Sequence, residues 1–189
     1  MTILGALMGF LLISGAMSAM PASATAPSMP ALPSYTVTLT AYNAVPEQTD
    51  SDPFVTASGA FSNPEVVAAR SRDLATELPF GTVIEIMGPA DPNNSCGYDI
   101  VEPIVGYRVI ADTMNARYTD RIDILFHTYS NYIMADGRTK NAGMVLGICD
   151  GASVRVVGHV DITRPGKLPK TQEELALLVK GGSASLAVK

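Results

Sequence analysis

The sequence has no tryptophan, and aromatic residues make up 6 % of its 189 positions. Two cysteines and two histidines are too few for a cysteine-rich zinc site or a disulfide-dense miniprotein. The histidines show no spacing suited to a catalytic metal, so neither a metal nor any other cofactor is expected. Charge is sparse as well: Asp, Glu, Lys and Arg are 16 % of the chain, and the first of them is Glu47. Residues 35–163 carry 8 Lys and Arg against 16 Asp and Glu. Without a basic stripe to neutralise phosphates, nucleic acid is not expected as a partner. The tail from 164 onward reverses the balance, with five basic residues against Glu173 and Glu174.

The uncharged N-terminal stretch is a segment of a different kind. Met1–Met20 is apolar or small throughout, with a core over Ile3–Ile13. Ala22-Ser23-Ala24 supplies a small-x-small cleavage site, so residues 1–24 are expected to form a signal peptide cut after Ala24. No Lys or Arg precedes the apolar run. Its twenty positions also suffice to span a bilayer, and an uncleaved segment over 1–20 would attach the chain to a membrane. Either way the folded part is expected to be exported, to the periplasm, cell envelope or exterior. Residues 25–34 follow as a Pro-, Ala- and Ser-rich linker of extended, polyproline-like character.

From Tyr35 the texture changes to short apolar or alternating runs between turn residues. Strands are expected over Tyr35–Tyr42, Val66–Ala69, Thr82–Met87, Tyr107–Ala111, Arg121–Phe126, Gly143–Ile148 and Ser153–Val160. Gly88–Gly106, with three prolines and two asparagines, is expected to be a long loop, and Asp136–Asn141 a turn. Six or seven short strands in some 125 residues suggest a closed barrel or a sandwich. In the tail, Thr171-x-x-Glu174 is a capping box ahead of Leu175–Val179 and predicts a short helix, stopped by Gly181-Gly182-Ser183. Whether this helix docks is left open by the residues alone. Cys96 and Cys149 would pair in an oxidising compartment; two free buried thiols are the alternative.

Four stretches in order carry a resemblance: Thr40-Ala41-Tyr42, Thr56-Ala57-Ser58-Gly59, Leu78-Pro79-Phe80-Gly81-Thr82, and Ala111-Asp112-Thr113 running to Arg121-Ile122-Asp123-Ile124. Together they resemble the bacterial 3D (Asp-Asp-Asp) domain, over about residues 35–163. The resemblance implies an all-β, six- to seven-stranded double-psi β-barrel, related to the catalytic barrel of a lytic transglycosylase family. Where family members often have Asp-Thr-Gly-Gly, this chain has Asp112-Thr113-Met114-Asn115. Asp73 lies near the place of the family's third aspartate but lacks the usual following proline, and no role is assigned to it.

The implied substrate is the glycan strand of peptidoglycan, cleaved between N-acetylmuramic acid and N-acetylglucosamine. Asp123 maps to the residue that acts as acid and base, and Asp112 to its partner carboxylate. Such an enzyme needs one proton donor for the leaving oxygen, because the 6-hydroxyl of the muramic acid is a built-in nucleophile. The apolar neighbours of Asp123 would raise its pKa, a nearby Asp112 would add to that, and Arg117 or Arg121 would oppose it. Tyr42, Thr56, Thr113 and Asn115 are the candidate substrate-binding residues, with Tyr42 as barrel core and Thr56 as a turn residue the competing readings. Two further readings stay open. Asp112 and Asp123 could be structural, capping turns or pairing with arginines, and the domain could be an expansin-like module that binds wall polysaccharide without cutting it.

Overall fold

The computed structural model describes residues 32–49, 52–91, 93–163 and 167–181. The expected signal peptide or anchor over 1–24, most of the 25–34 linker, Arg164 and the Gly182-Ser183 helix stop lie outside the described residues. Among the described residues there are eight strands: β1 (Ser34–Asn43), β2 (Val67–Arg70), β3 (Thr82–Met87), β4 (Tyr107–Thr113), β5 (Arg121–Phe126), β6 (Asn131–Ile133), β7 (Thr139–Asn141) and β8 (Cys149–His159). Three α-helices accompany them among the described residues, α1 (Tyr98–Val105), α2 (Ala142–Leu146) and α3 (Gln172–Lys180), with a 3-10 turn over Arg72–Ala75. Six strands close into a barrel in the order β1-β5-β2-β4-β3-β8, which resolves the choice between barrel and sandwich, and β6-β7 form a separate hairpin. The barrel is mixed. β1·β5 and β2·β4 are parallel, and the other four pairs are antiparallel.

Strand alternation divides the apolar residues between two clusters. Val37 and Leu39 join Ile84, Ile110, Ile122 and Val154 in the larger one. Tyr42, Val67, Ala69, Val109 and Leu125 turn to the second, which Ile162 and Leu175 complete. Leu175 is fully buried, so α3 is docked. Its Thr171 cap accepts from the Glu174 N–H at 3.2 Å. Gln172 then grips Tyr107, accepting from its N–H at 3.0 Å and donating to its carbonyl at 2.8 Å.

Three expectations are corrected. The turn expected over Asp136–Asn141 is confined to its start, because Thr139–Asn141 pair with Asn131–Ile133 as β7 of the hairpin. The long loop contains α1, whose buried residues Tyr98, Val101 and Val105 follow helical spacing despite Pro103 inside the helix. Proline lacks the amide hydrogen and ordinarily breaks a helix, which is why the pattern reads as a loop. The strand expected at Gly143–Ile148 is α2. An apolar run this short does not distinguish strand from helix. Here Asn141 caps the Gly143 N–H at 3.1 Å, and Gly147 at φ 67° ends the turn.

Cys96 and Cys149 form a disulfide that ties the start of α1 to the first residue of β8. Arg108, on β4, is 1 % exposed and faces no carboxylate in ion-pair contact among the described residues. Its guanidinium donates instead to four carbonyls: Val105 and Pro64 at 2.6 Å, Ile104 at 2.7 Å and Leu125 at 3.2 Å. It thereby closes the C-terminal end of α1 onto the barrel. Burial pulls its pKa down to about 10, against the pull of Glu65, so the group stays charged at neutral pH.

Replacing Arg108 with alanine would orphan four carbonyls, and the expected loss is about 3–5 kcal/mol in urea denaturation. Breaking the disulfide, which closes a separation of 53 residues, should cost about 4 kcal/mol on the chain-entropy estimate. That corresponds to a fall in Tm of roughly 10 °C on adding reductant.

Candidate active site

A six-stranded barrel can set residues from non-adjacent strands on a single rung. Here Ala69 of β2 pairs with Asp112 of β4 on one side and with Asp123 of β5 on the other, and Asp123 pairs onward with Thr40 of β1. The register of β2 against β4 slips between Ala68 and Ala69, so that Ala111 is an extra residue in β4. Bulges of this kind re-aim the side chain that follows. The carbonyl of Ala111 is occupied by the Ser58 N–H at 3.1 Å. With only a methyl group at position 69, the space between the two carboxylates stays open. Both aspartates line a cleft of about 680 Å³, together with Tyr42, Ala57, Thr113, Asn115, Arg72, Arg117 and Tyr118.

The two carboxyl groups are held differently. Asp112 accepts three hydrogen bonds: from the Ala57 N–H at 2.9 Å and its neighbour Thr113 N–H at 2.8 Å on Oδ1, and from the Tyr42 hydroxyl at 2.9 Å on Oδ2. Asp123 accepts one side-chain bond, from the Thr40 hydroxyl at 2.8 Å. Burial pushes its pKa up to about 6. The Thr40 bond and the charge of Arg121 oppose that rise, and the charge of Asp112 adds to it. Tyr42 is held well above the ordinary phenol value, first by burial and then by the charge and hydrogen bond of Asp112. It is thus a neutral donor to Asp112 at any working pH.

The approach to Asp123 is fastened from the segment that follows β2. Asp120, at φ 51°, adopts the left-handed conformation uncommon outside glycine. Its N–H donates to Asp73 Oδ2 at 2.9 Å, and its carbonyl accepts from the Thr38 N–H at 2.9 Å. Ser71 brackets the next residue, its Oγ accepting from the Arg121 N–H at 3.0 Å. Burial works to raise the Asp73 pKa, but the Asp120 N–H and the Ser71 hydroxyl outweigh it and hold the group below the ordinary carboxylate value.

The candidate residues divide accordingly. Asp112, Asp123, Tyr42, Thr113 and Asn115 all reach the cleft. Tyr42 is buried and also belongs to the second core cluster, so it is core and site residue at once. Thr56 is 4 % exposed, and its hydroxyl bonds the Ala60 carbonyl at 3.1 Å and Ser58 Oγ at 3.0 Å. It shapes the 54–62 hairpin and does not line the cleft. His127 contacts Glu65 at 3.3 Å and stacks on Tyr129, outside the cleft. Sequence reasoning assigned no role to Thr40, Ala57, Ala69 or Asp73. Thr40 and Ala57 were within the motif stretches, but nothing in sequence marks a backbone N–H or a methyl-sized gap as functional. Among the described residues, no group of three His, Cys, Asp or Glu side chains could hold a metal ion. No helix among them is long and apolar enough to cross a membrane. No protein-family model matches the chain, and no curated protein matches it.

A raised carboxyl pKa means that the folded state holds the proton more tightly than the unfolded state. The penalty is absent below pH 3.8, grows between 3.8 and about 6, and is full above that. Asp123→Asn retains an acceptor for Thr40 and removes the charge. It should therefore stabilise the protein at pH 7 by about 1–3 kcal/mol, with the gain vanishing near pH 4. Urea denaturation of both proteins across this range checks it.

Proposed function

We propose that the chain is a peptidoglycan-cleaving enzyme of the lytic transglycosylase kind, carried on a double-psi barrel of the 3D-domain type. Support for the barrel type comes from the ordered motif stretches and from two parallel strand pairs within a closed barrel of six. The observation that carries the chemistry is Asp123: one carboxyl group, in a cleft, with a pKa of about 6 and a partner carboxylate across a single alanine. A carboxylic acid that keeps its proton near neutral pH is what protonation of a glycosidic oxygen requires.

In this reading Asp123 delivers its proton to the oxygen leaving the muramic acid anomeric carbon. Positive charge develops on the ring, and the fixed carboxylate of Asp112 stabilises it. The 6-hydroxyl of the same sugar attacks the anomeric carbon, its proton passes to Asp123, and a 1,6-anhydro ring closes. The acid is thereby regenerated without water. Thr40 orients Asp123 through the cycle, while Tyr42, Ala57 and Thr113 keep Asp112 from turning. Export to the cell envelope belongs to the same reading; the apolar N-terminus and the Cys96–Cys149 disulfide support it.

Purified sacculi treated with the protein should release fragments ending in 1,6-anhydro-muramic acid, identified by mass spectrometry. Asp123→Asn should lower their yield at least about 100-fold. The parent rate should fall as pH rises through about 6. Reducing-end products would replace the transglycosylase with a hydrolase. Sacculus binding without any product would make the domain a binding module.

A further inference from the structure

The cleft holds two cations that the proposed chemistry does not use. Arg72 and Arg117 line it beside Tyr118. Arg117 is positioned by its neighbour, donating to the Tyr118 hydroxyl at 2.7 Å with its guanidinium 4.7 Å from the ring centroid. Arg121 lies over the same ring at 5.0 Å. Two guanidinium groups thus share one tyrosine, and neither has a carboxylate in ion-pair contact among the described residues; nor has Arg72. The charge of Arg121 acts on Asp123, which leaves Arg117 and Arg72 as the cleft cations without a carboxylate in ion-pair contact among the described residues.

The site aspartates make no ion-pair contact with Arg72 or Arg117. Asp112 has both oxygens occupied by Tyr42, Ala57 and Thr113, and Asp123 has one oxygen bound to Thr40. An acidic body carrying 16 acidic against 8 basic residues would repel a polyanionic glycan unless the cleft itself offered positive charge. A planar guanidinium held on an aromatic face is pre-organised for bidentate contact with a carboxylate.

We infer that Arg117 and Arg72 form a carboxylate subsite beside the dyad, which selects glycan strands carrying an acidic substituent next to the scissile bond. Tyr118 and Arg121 hold Arg117 in place. The inference deepens the proposed function and names its substrate class: glycans bearing a free carboxylate. That carboxylate has two sources in peptidoglycan, the lactyl group of a strand stripped of peptide and the carboxylates of a stem peptide.

The test measures binding by calorimetry to the full chain carrying Asp123→Asn, so that turnover does not interfere. Three probes are compared: peptide-free muramic acid oligomers, peptide-bearing oligomers, and each of these with carboxylates amidated. The carboxylate forms should bind roughly tenfold or more tighter than their amidated counterparts, and the margin should shrink in salt. Whichever carboxylate form shows the margin identifies the source. Arg72→Gln combined with Arg117→Gln should abolish the margin and leave the amidated affinity unchanged, which also shows that the variant is folded. Arg117→Lys should retain only part of it.

Equal affinity for carboxylate and amidated strands, or a margin that survives loss of both arginines, overturns the subsite. Cleavage of sacculi by the parent separates this from the larger reading. Products without a carboxylate margin reject the subsite alone. A margin without products rejects the enzyme and keeps the subsite. Absence of both rejects both.

Discussion

Ala69 stands between Asp112 and Asp123, and the rest of the site depends on that rung. Two carboxyl groups from strands β4 and β5 would not ordinarily meet, since β2 lies between them in the barrel. The register of β2 with both neighbours aligns them, the bulge at Ala111 turns Asp112, and the alanine leaves the gap unfilled. A larger side chain at position 69 would fill the space between the two carboxyl groups. The barrel register and the site are therefore one constraint: a one-residue slip of β4 or of β5 against β2 would turn its aspartate to the other face.

The asymmetry between the two aspartates follows from what each strand end supplies. Asp112 lies near the end of β4, where backbone N–H groups of Thr113 and of the 54–62 hairpin are free to point at it. Asp123 lies within β5, whose backbone is engaged on both sides, by β1 and by β2. It finds only the Thr40 hydroxyl, and burial decides its protonation. One fold thus produces a fixed acceptor and a proton-holding acid from two identical side chains. Tyr42 couples them to the core, because its ring packs in the second cluster while its hydroxyl reaches Asp112.

Much of this was legible in the residues. The alternation of Tyr35–Tyr42, the β-branched run Thr82–Met87 and the flanked Asp123 in Arg121–Phe126 locate three strands, and the Thr171–Glu174 capping box locates α3. The elements misread are those whose local signals conflict: α1 carries Pro103, and α2 is an apolar run too short to have a period. For the site, the eleven-residue interval between Asp112 and Asp123 was visible, but the rung that joins them was not, because register across β2 is a tertiary property. Thr56 shows the converse. Its motif position suggested a ligand contact, yet its hydroxyl satisfies the hairpin. Asp73 illustrates a third limit, for an aspartate that fastens a left-handed residue 47 positions away leaves no local trace.

The central claim is that the fold itself makes Asp123 an acid near neutral pH. A carbon-13 NMR titration of the aspartate side-chain carboxyls, with the Asp123 signal assigned by its loss in Asp123→Asn, measures this directly. The account predicts a midpoint near 6 for that signal. A midpoint near the ordinary 3.8 would mean that Asp123 is ionised at neutral pH and would contradict the account.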